Sequence, residues 1–421
     1  DDARAERELS RGLVEEGEPR WGAIVVDGLL GTGAKGTPGD EIAGAIASIQ
    51  DAHRHGATVV ALDVPSGLDA TTGETPGAAV RAHLTLTFGT LKRGLLIARG
   101  IAGRIVVLDI GLGTFGDEDC APTLARSSWV RRAIPPIPAD AHKGVRKKLA
   151  IIGGAQGMAG ACMLAGRAAM KSGIGMVRLI VASANLPVVQ GALPEALART
   201  WPESDTALKE SILDWADGVL IGPGLGDTAK ARALAERVLR AWRGPVVGDA
   251  DALNVFKGDA KSLGALLSGR PALITPHPAE LARLTGTSLA SALEQRFDVG
   301  SELARALGAA VLVKGVPTII SSADGRRIVT ATGTPALAAA GSGDLLAGLA
   351  ATLLTQTSDP LVSGACAGWL HGRAAELAAA VAGTRGTTLG DVESAMARVW
   401  SEWDDDPSYP VLAELPPVME Q

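Results

Sequence analysis

Cysteine is scarce in this chain: 3 among 421 residues. Cys120, Cys162 and Cys366 are odd in number and lack metal-ligand spacing. This excludes a disulfide framework and reads as buried thiols in a reducing compartment. Positive charge is not in excess either. With 40 Lys and Arg against 46 Asp and Glu, the formal net charge is -6, which argues against a general nucleic-acid binder and its basic face. Long apolar runs are missing. The longest uncharged stretch, Leu149 to Gly166, is broken by five glycines and reads as strand, loop and helix, not as a membrane span. The opening Asp1-Asp2-Ala3-Arg4-Ala5-Glu6-Arg7-Glu8 shows no signal peptide, so a cytoplasmic protein is expected. Tyrosine occurs once and glycine 53 times. With 47% hydrophobic and 20% charged residues and a mean hydropathy of +0.21, the composition suits an α/β protein with many tight loops. The length calls for two or three domains.

Strand and helix signals alternate along the N-terminal part. Trp21 to Asp27 is a short apolar run ending in an acid, and Gly28 to Gly39 is a glycine-punctuated loop. Glu41 to His55 has helical spacing, with Ile42, Ile46 and Ile49 on one face. Thr58 to Asp63, His83 to Phe88 and Gly103 to Asp109 read as further strands of a doubly wound sheet, which binds ligands at its carboxyl edge. Ala121 to Lys148 is rich in Pro, Arg and Lys and reads as a linker ending in a basic cluster, with the linker proper at 121–139. A second domain follows over 140–403, with strands near Leu149–Ile152, Met176–Val181, Gly218–Ile221, Pro245–Asp249, Ala272–Thr275 and Ala310–Lys314. The remainder, 404–421, reads as an acidic, poorly ordered tail.

Chemistry concentrates in the second domain. Gly333 to Gly348 reads as a flexible turn running into an Ala/Leu-rich helix. The amides of Gly341, Ser342 and Gly343 would then form an anion site at its N-terminus. Asp344, in the first turn, is placed to move a proton beside a bound phosphate. An ordinary capped helix start is the alternative. Ile221-Gly222-Pro223-Gly224-Leu225-Gly226 permits close backbone approach, or is simply a turn. Asp249 and Asp251 end a strand as reactive acids or as helix caps. His277 stands between prolines as a ligand contact or a structural hydrogen-bonder, and Lys314 ends a strand on a cation or lies on the surface.

Taken in order, these motifs resemble the ribokinase-like ADP/ATP-dependent NAD(P)H-hydrate dehydratases. The resemblance implies an α/β/α domain that dehydrates the S-form of hydrated NADH or NADPH at the expense of ADP or ATP with Mg²⁺. It implies Asp344 as the base and a substrate contact, with Ala161, Gly224 and His277 as further substrate contacts. Lys314, Gly315, Val316, Pro317, Thr318, Gly341, Ser342 and Gly343 would bind the nucleotide. The loop Gly154 to Ala161 departs from the family in lacking its Ser and Tyr. A symmetric homo-oligomer, with no membrane or nucleic-acid partner, is implied. A vitamin-precursor kinase of the same fold is the competing reading.

The first domain resembles the Rossmann-like NAD(P)H-hydrate epimerases. The match rests on Val26-Asp27-Gly28-Leu29-Leu30-Gly31-Thr32-Gly33, Leu62 to Asp69, and Thr87 to Lys92. It implies Asp63 as the proton-transfer and substrate-contacting carboxylate, and Asp27 and Ser66 as K⁺ ligands. Gly31, Thr32, Gly33, Ala34, Lys35, Gly36 and Thr37 would cradle the substrate phosphates. The family's upstream Asn-Asn-Gly-Gly-Asp loop has no counterpart. A truncated epimerase domain over 1–120 is therefore expected, with little or no epimerisation and an apolar strand edge left open. A degenerate binding module is the non-enzymatic alternative.

Overall fold

A computed structural model describes residues 22–112 and 122–418. Cys120, Trp21, the opening octapeptide, the first residue of the expected linker and the last three of the tail lie outside the described residues. The described residues divide into two compact units, 22–111 with 407–418, and 112 with 122–406.

In the first unit, β1 (Ile24–Asp27), β2 (Thr58–Leu62), β3 (Leu84–Phe88) and β4 (Arg104–Leu108) pair in that order, all parallel. Their Val, Ile and Thr content suits a pleated, half-buried surface. Helix α1 (Asp40–Arg54) buries Ile46 against Val59 and Ala61 of β2, flanked by Ile42 and Ile49. Asp40 and Glu41 in its first turn and His53 and Arg54 in its last complement the helix dipole. On the edge strand β1, Ile24 and Val26 are exposed.

The first elements of the second unit lie inside the segment expected to be a linker. β5 (Thr123–Leu124) and α2 (Ser127–Ala133) occupy it, and Val130 is fully buried in the unit's core. Proline and basic residues suggested a tether, but burial of Ala125 and Val130, with Trp129, Ala133 and Ile134 packed beside them, makes this segment part of the domain. The sheet continues with β6 (Lys148–Ile152), β7 (Met176–Val181), β8 (Leu197–Thr200), β9 (Gly218–Ile221), β10 (Val246–Gly248), β11 (Ala272–Ile274), β12 (Ala310–Val313), β13 (Thr318–Ser321) and β14 (Arg327–Thr330). Their spatial order is β5-β14-β13-β12-β11-β10-β9-β6-β7-β8. The strands from β12 to β8 are parallel, and β13 and β14 extend the sheet antiparallel.

β9 to β12 are buried at every residue, as expected when helices cover both faces of a parallel sheet. On one face, Leu149, Ile151 and Leu179 pack with α3 (Ala159–Lys171). Ala150, Ile152 and Ile180 face the other way, toward a cluster that includes α4 (Pro278–Thr285). Completing the first face are α5 (Ser342–Thr357), α6 (Pro360–Gly386) and α7 (Leu389–Val399). Close packing of α5 on α3 requires Gly348, since a Cβ there would lie 2.0 Å from the Ala165 carbonyl oxygen. Cys162 and Cys366 are buried free thiols. No helix among the described residues is long and apolar enough to cross a membrane.

The acidic tail folds back as a strand. β15 (Val411–Leu415) pairs antiparallel with β4, and Ala413 and Leu415 are buried. Burial alternates over Leu412 to Leu415, and the apolar Ala413 and Leu415 on the inner face outweigh the acid and proline content of the tail.

Candidate active site

The loops that follow β6, β9, β10, β11 and β12 all lie at the carboxyl edge of the second sheet, beside the start of α5. Helix α5 begins from Gly341, whose φ of 93° is left-handed, a conformation glycine adopts at no steric cost. Ser342 N–H donates to the Ala339 carbonyl at 3.2 Å. Its hydroxyl lies 3.4 Å from Nε2 of His371 on α6, and both side chains are buried. Ser342 thus faces inward, and the amides of Gly341 and Gly343 are the ones left toward an anion. Burial is the main cause that pushes Asp344 up to about 7, and the Asp249 carboxylate adds to it while Lys314 opposes. Burial also lowers His371 to about 4, so it is neutral at physiological pH.

Lys314 points back from the end of β12 into the domain. Its Nζ donates to Asp249 Oδ1 at 2.8 Å and sits 3.7 Å from Glu280 Oε2. Thr275 Oγ1 donates to the same Asp249 oxygen at 2.7 Å. Burial would lower the Lys314 ammonium, but Asp249 and Glu280 outweigh it and hold it above the usual lysine value. A Cβ on Gly343 would lie 3.2 Å from Lys314 Nζ, so the ammonium stands against the start of α5. Gly315, Val316 and Pro317 form the β12–β13 connection, where Val316 is exposed, and Thr318 opens β13.

His277 caps α4. Its Nδ1 accepts from Ala279 N at 3.2 Å and Glu280 N at 3.3 Å, while Glu280 Oε2 accepts from His277 N at 2.8 Å. The proton therefore resides on Nε2, on a half-exposed ring. Burial is the largest cause lowering its pKa, opposed by Glu280. Gly224 has φ 57°, and a Cβ there would meet the Met158 carbonyl oxygen at 2.8 Å and Ala161 Cβ at 3.1 Å. The structure thus brings Ala161 and Gly224 together. Asp251 accepts from Gly226 N at 2.8 Å.

In the first unit, Asp27 is fully buried at the end of β1. Its oxygens accept from Ser66 N at 2.8 Å and Ser66 Oγ at 2.6 Å. Asp63 follows β2 with a left-handed φ of 67°. It accepts from Lys92 Nζ, and from Thr87 Oγ1 and Phe88 N at 3.3 Å each. Burial alone would raise this carboxyl, but the Lys92 and Phe88 hydrogen bonds prevail and hold it below the usual carboxylate range. Ala34, Lys35, Gly36 and Thr37 line a cavity of about 270 Å³. Gly31, Thr32 and Gly33 form the preceding turn, in which Ala34 N donates to Gly31 O at 3.1 Å.

Residues 149–398 match the family model described as NAD(P)H-hydrate dehydratase, and residues 5–94 match the one described as YjeF-related protein N-terminus. The chain is 36% identical over 381 residues to the bifunctional NAD(P)H-hydrate repair enzyme Nnr of Moorella thermoacetica, covering 88% of this chain and 71% of that protein. The chain belongs to the NAD(P)H-hydrate repair enzyme family. The Escherichia coli Nnr is likewise 36% identical over 384 residues, covering 89% and 71% of the two chains. Among solved structures, the Bacillus subtilis ADP/ATP-dependent NAD(P)H-hydrate dehydratase, co-crystallised with ATP and Mg²⁺, is similar with a TM-score of 0.59 and 28% identity. That likeness covers 66% of this chain and 98% of the other. Membership in the repair family displaces the vitamin-precursor kinase reading.

For this repair-family member, the sequence left Asp249, Glu280, His371 and Lys92 unassigned. Asp249 was visible as a strand-end acid, and Glu280 by its capping-box spacing from His277. Their convergence on Lys314 depends on the order of β10, β11 and β12 in space, which no local pattern reveals. Lys92 stood within the quoted Thr87 to Lys92 run without a role.

Proposed function

We propose that the second unit dehydrates the S-form of hydrated NADH or NADPH, using ADP or ATP as phosphate donor. The observation that carries this reading is a buried carboxyl, Asp344, one residue from the open amide of Gly343 at a helix N-terminus. Asp344 removes the proton from the hydrate's hydroxyl as that oxygen takes the terminal phosphoryl group. Gly341 and Gly343 amides and the Lys314 ammonium hold the negative charge that develops on the transferring group. Loss of phosphate, with a proton from the neighbouring ring carbon, restores the nicotinamide ring. Phosphate leaves readily where hydroxide does not. Ala161, Gly224 and His277 would position the hydrate; the Lys314 to Thr318 run and Ser342 belong to the nucleotide side, Ser342 as a support.

Mg²⁺, when bound, supplies charge neutralisation on the phosphates. Among the described residues no cluster of three or more His, Cys, Asp or Glu is placed to hold a metal. The site thus fits an ion held chiefly by phosphate oxygens and water, as Mg²⁺ commonly is. The deciding experiment is recovery of NADPH absorbance from purified S-NADPH hydrate, with ADP and ATP tested separately in Mg²⁺. Nucleotide-dependent recovery is expected; none from folded protein would refute the reading.

For the first unit we propose phosphate binding at Ala34 to Thr37, proton transfer by Asp63, and a K⁺ ion beside Asp27 and Ser66. Asp27 suits a monovalent cation because its buried carboxylate has no Lys or Arg partner among the described residues. Any conversion of the R-hydrate should vanish in Asp63→Asn while dehydration of the S-hydrate is unchanged. Conversion that persists in this variant removes Asp63 from the role. A homo-oligomer in the cytoplasm completes the proposal, supported by the family resemblance.

A further inference from the structure

The second unit contains another cavity, of about 470 Å³, within the size range of small-molecule pockets. It lies at the far ends of the helices that build the active site. Lys171, the last residue of α3, and Gln356, near the end of α5, both line it. Gln356 stands about 18 Å from Asp344 at 1.5 Å per helical residue. Its basic side chains come partly from the Pro- and Arg-rich segment that the dehydratase reading leaves without a role.

Trp400 and Trp403 form one wall. Trp403 stacks on Trp369 at 5.8 Å and meets Trp400 edge-on at 6.4 Å. Their indole N–H groups already donate to the Trp400 and Lys171 carbonyls, so ring surface is what they offer a ligand. Ile137 on the rim is 53% exposed. Arg131, Arg146 and Lys171 border the same space. Arg131 is exposed and has no hydrogen-bond or ion-pair partner among the described residues, and Arg146 uses its Nε on the Gly173 carbonyl. Lys171 stands 4.0 Å from Glu393, its nearest carboxylate.

From this combination we infer a second ligand site, for a flat, apolar organic acid whose body lies on the tryptophans and whose anionic group meets Arg131 and Arg146. Aromatic surface provides affinity, and a charge-assisted bond to a guanidinium provides selection for the acid.

The full chain is titrated with 8-anilinonaphthalene-1-sulfonate and, separately, with uncharged N-phenyl-1-naphthylamine. One saturable sulfonate site is expected, with quenching of tryptophan emission and no displacement by ADP. Arg131→Glu should weaken it about tenfold, as loss of a charge-assisted bond would. Ile137→Asp, which places a carboxylate at the rim, should act in the same direction. Both side chains are exposed and outside the Asp344 site, so an unchanged dehydration rate reports that these variants are folded. Non-saturable binding, displacement by ADP, equal affinity for the uncharged probe, or sulfonate binding untouched by both substitutions would each overturn the inference.

Discussion

Asp344→Asn lowers the dehydration rate by about two to four orders of magnitude, the usual contribution of a positioned general base, and leaves nucleotide affinity close to that of the parent. Steady-state rates with S-NADPH hydrate and equilibrium titration with ADP check the two halves of this statement. The amides of Gly341 and Gly343 and the Lys314 ammonium remain in the variant, which is why binding should survive. A variant that keeps most of its rate would remove Asp344 as the base. In the parent enzyme the base must be ionised. With the carboxyl pushed up to about 7, kcat/KM should fall about tenfold for each pH unit below that value.

The same shift acts on stability in the opposite sense to most acids. Its folded-state pKa of about 7 lies above the ordinary 3.8, so the folded state binds the proton more tightly than the unfolded state. The stability tied to that proton is complete below pH 3.8 and is lost as pH rises through 7. Asn carries no such penalty. The variant should therefore be more stable than the parent at pH 8 and lose more than half of that advantage at pH 5, as thermal unfolding at both values would show. A simple folding defect would lower stability at both.

Lys314→Met has the second large effect, and it is first an effect on folding. Asp249 and Glu280 keep only 2% and 6% of their side-chain surface exposed, and Lys314 19%. Removing the shared cation leaves two carboxylates buried and uncompensated. Breaking such a pair costs about 3 kcal/mol or more, equivalent to a fall of roughly 5 °C in Tm for a unit of this size. Adding Asp249→Asn should restore part of the loss, because it removes one of the stranded charges; non-additivity of this kind is expected of contacting residues. An unchanged Tm in Lys314→Met would show that the lysine is not the structural centre of the cluster. Nucleotide affinity should fall as well, measured on the fraction that folds.

How much of this was legible beforehand follows a physical line. Strands such as Gly218–Ile221, Val246–Gly248 and Ala310–Val313 are continuous apolar runs, and the glycine, acid and lysine that follow them stand where a parallel sheet places its ligands. That made the carboxyl-edge loops and Asp344 readable. β8, β13 and β14 mix Arg, Ser or Thr into their four residues and so do not stand out as apolar runs. β5 and β15 were masked by proline and charge. At the site, the sequence suggested three amides and a lysine for nucleotide binding. Only the three-dimensional arrangement turns Ser342 toward His371 and sets Lys314 between two carboxylates drawn from different loops.

The return of β15 to β4 constrains how the polypeptide is made. Strands β1 to β4 are made before the elements of the second unit, yet β15, which pairs with β4, is encoded after them. Until translation reaches Leu415, β4 presents unpaired backbone groups, a template for pairing with the wrong chain. Maturation of the first unit is thus deferred until the second unit has been made. Any chain released at Asp406 should carry a competent second unit beside an open, association-prone first one.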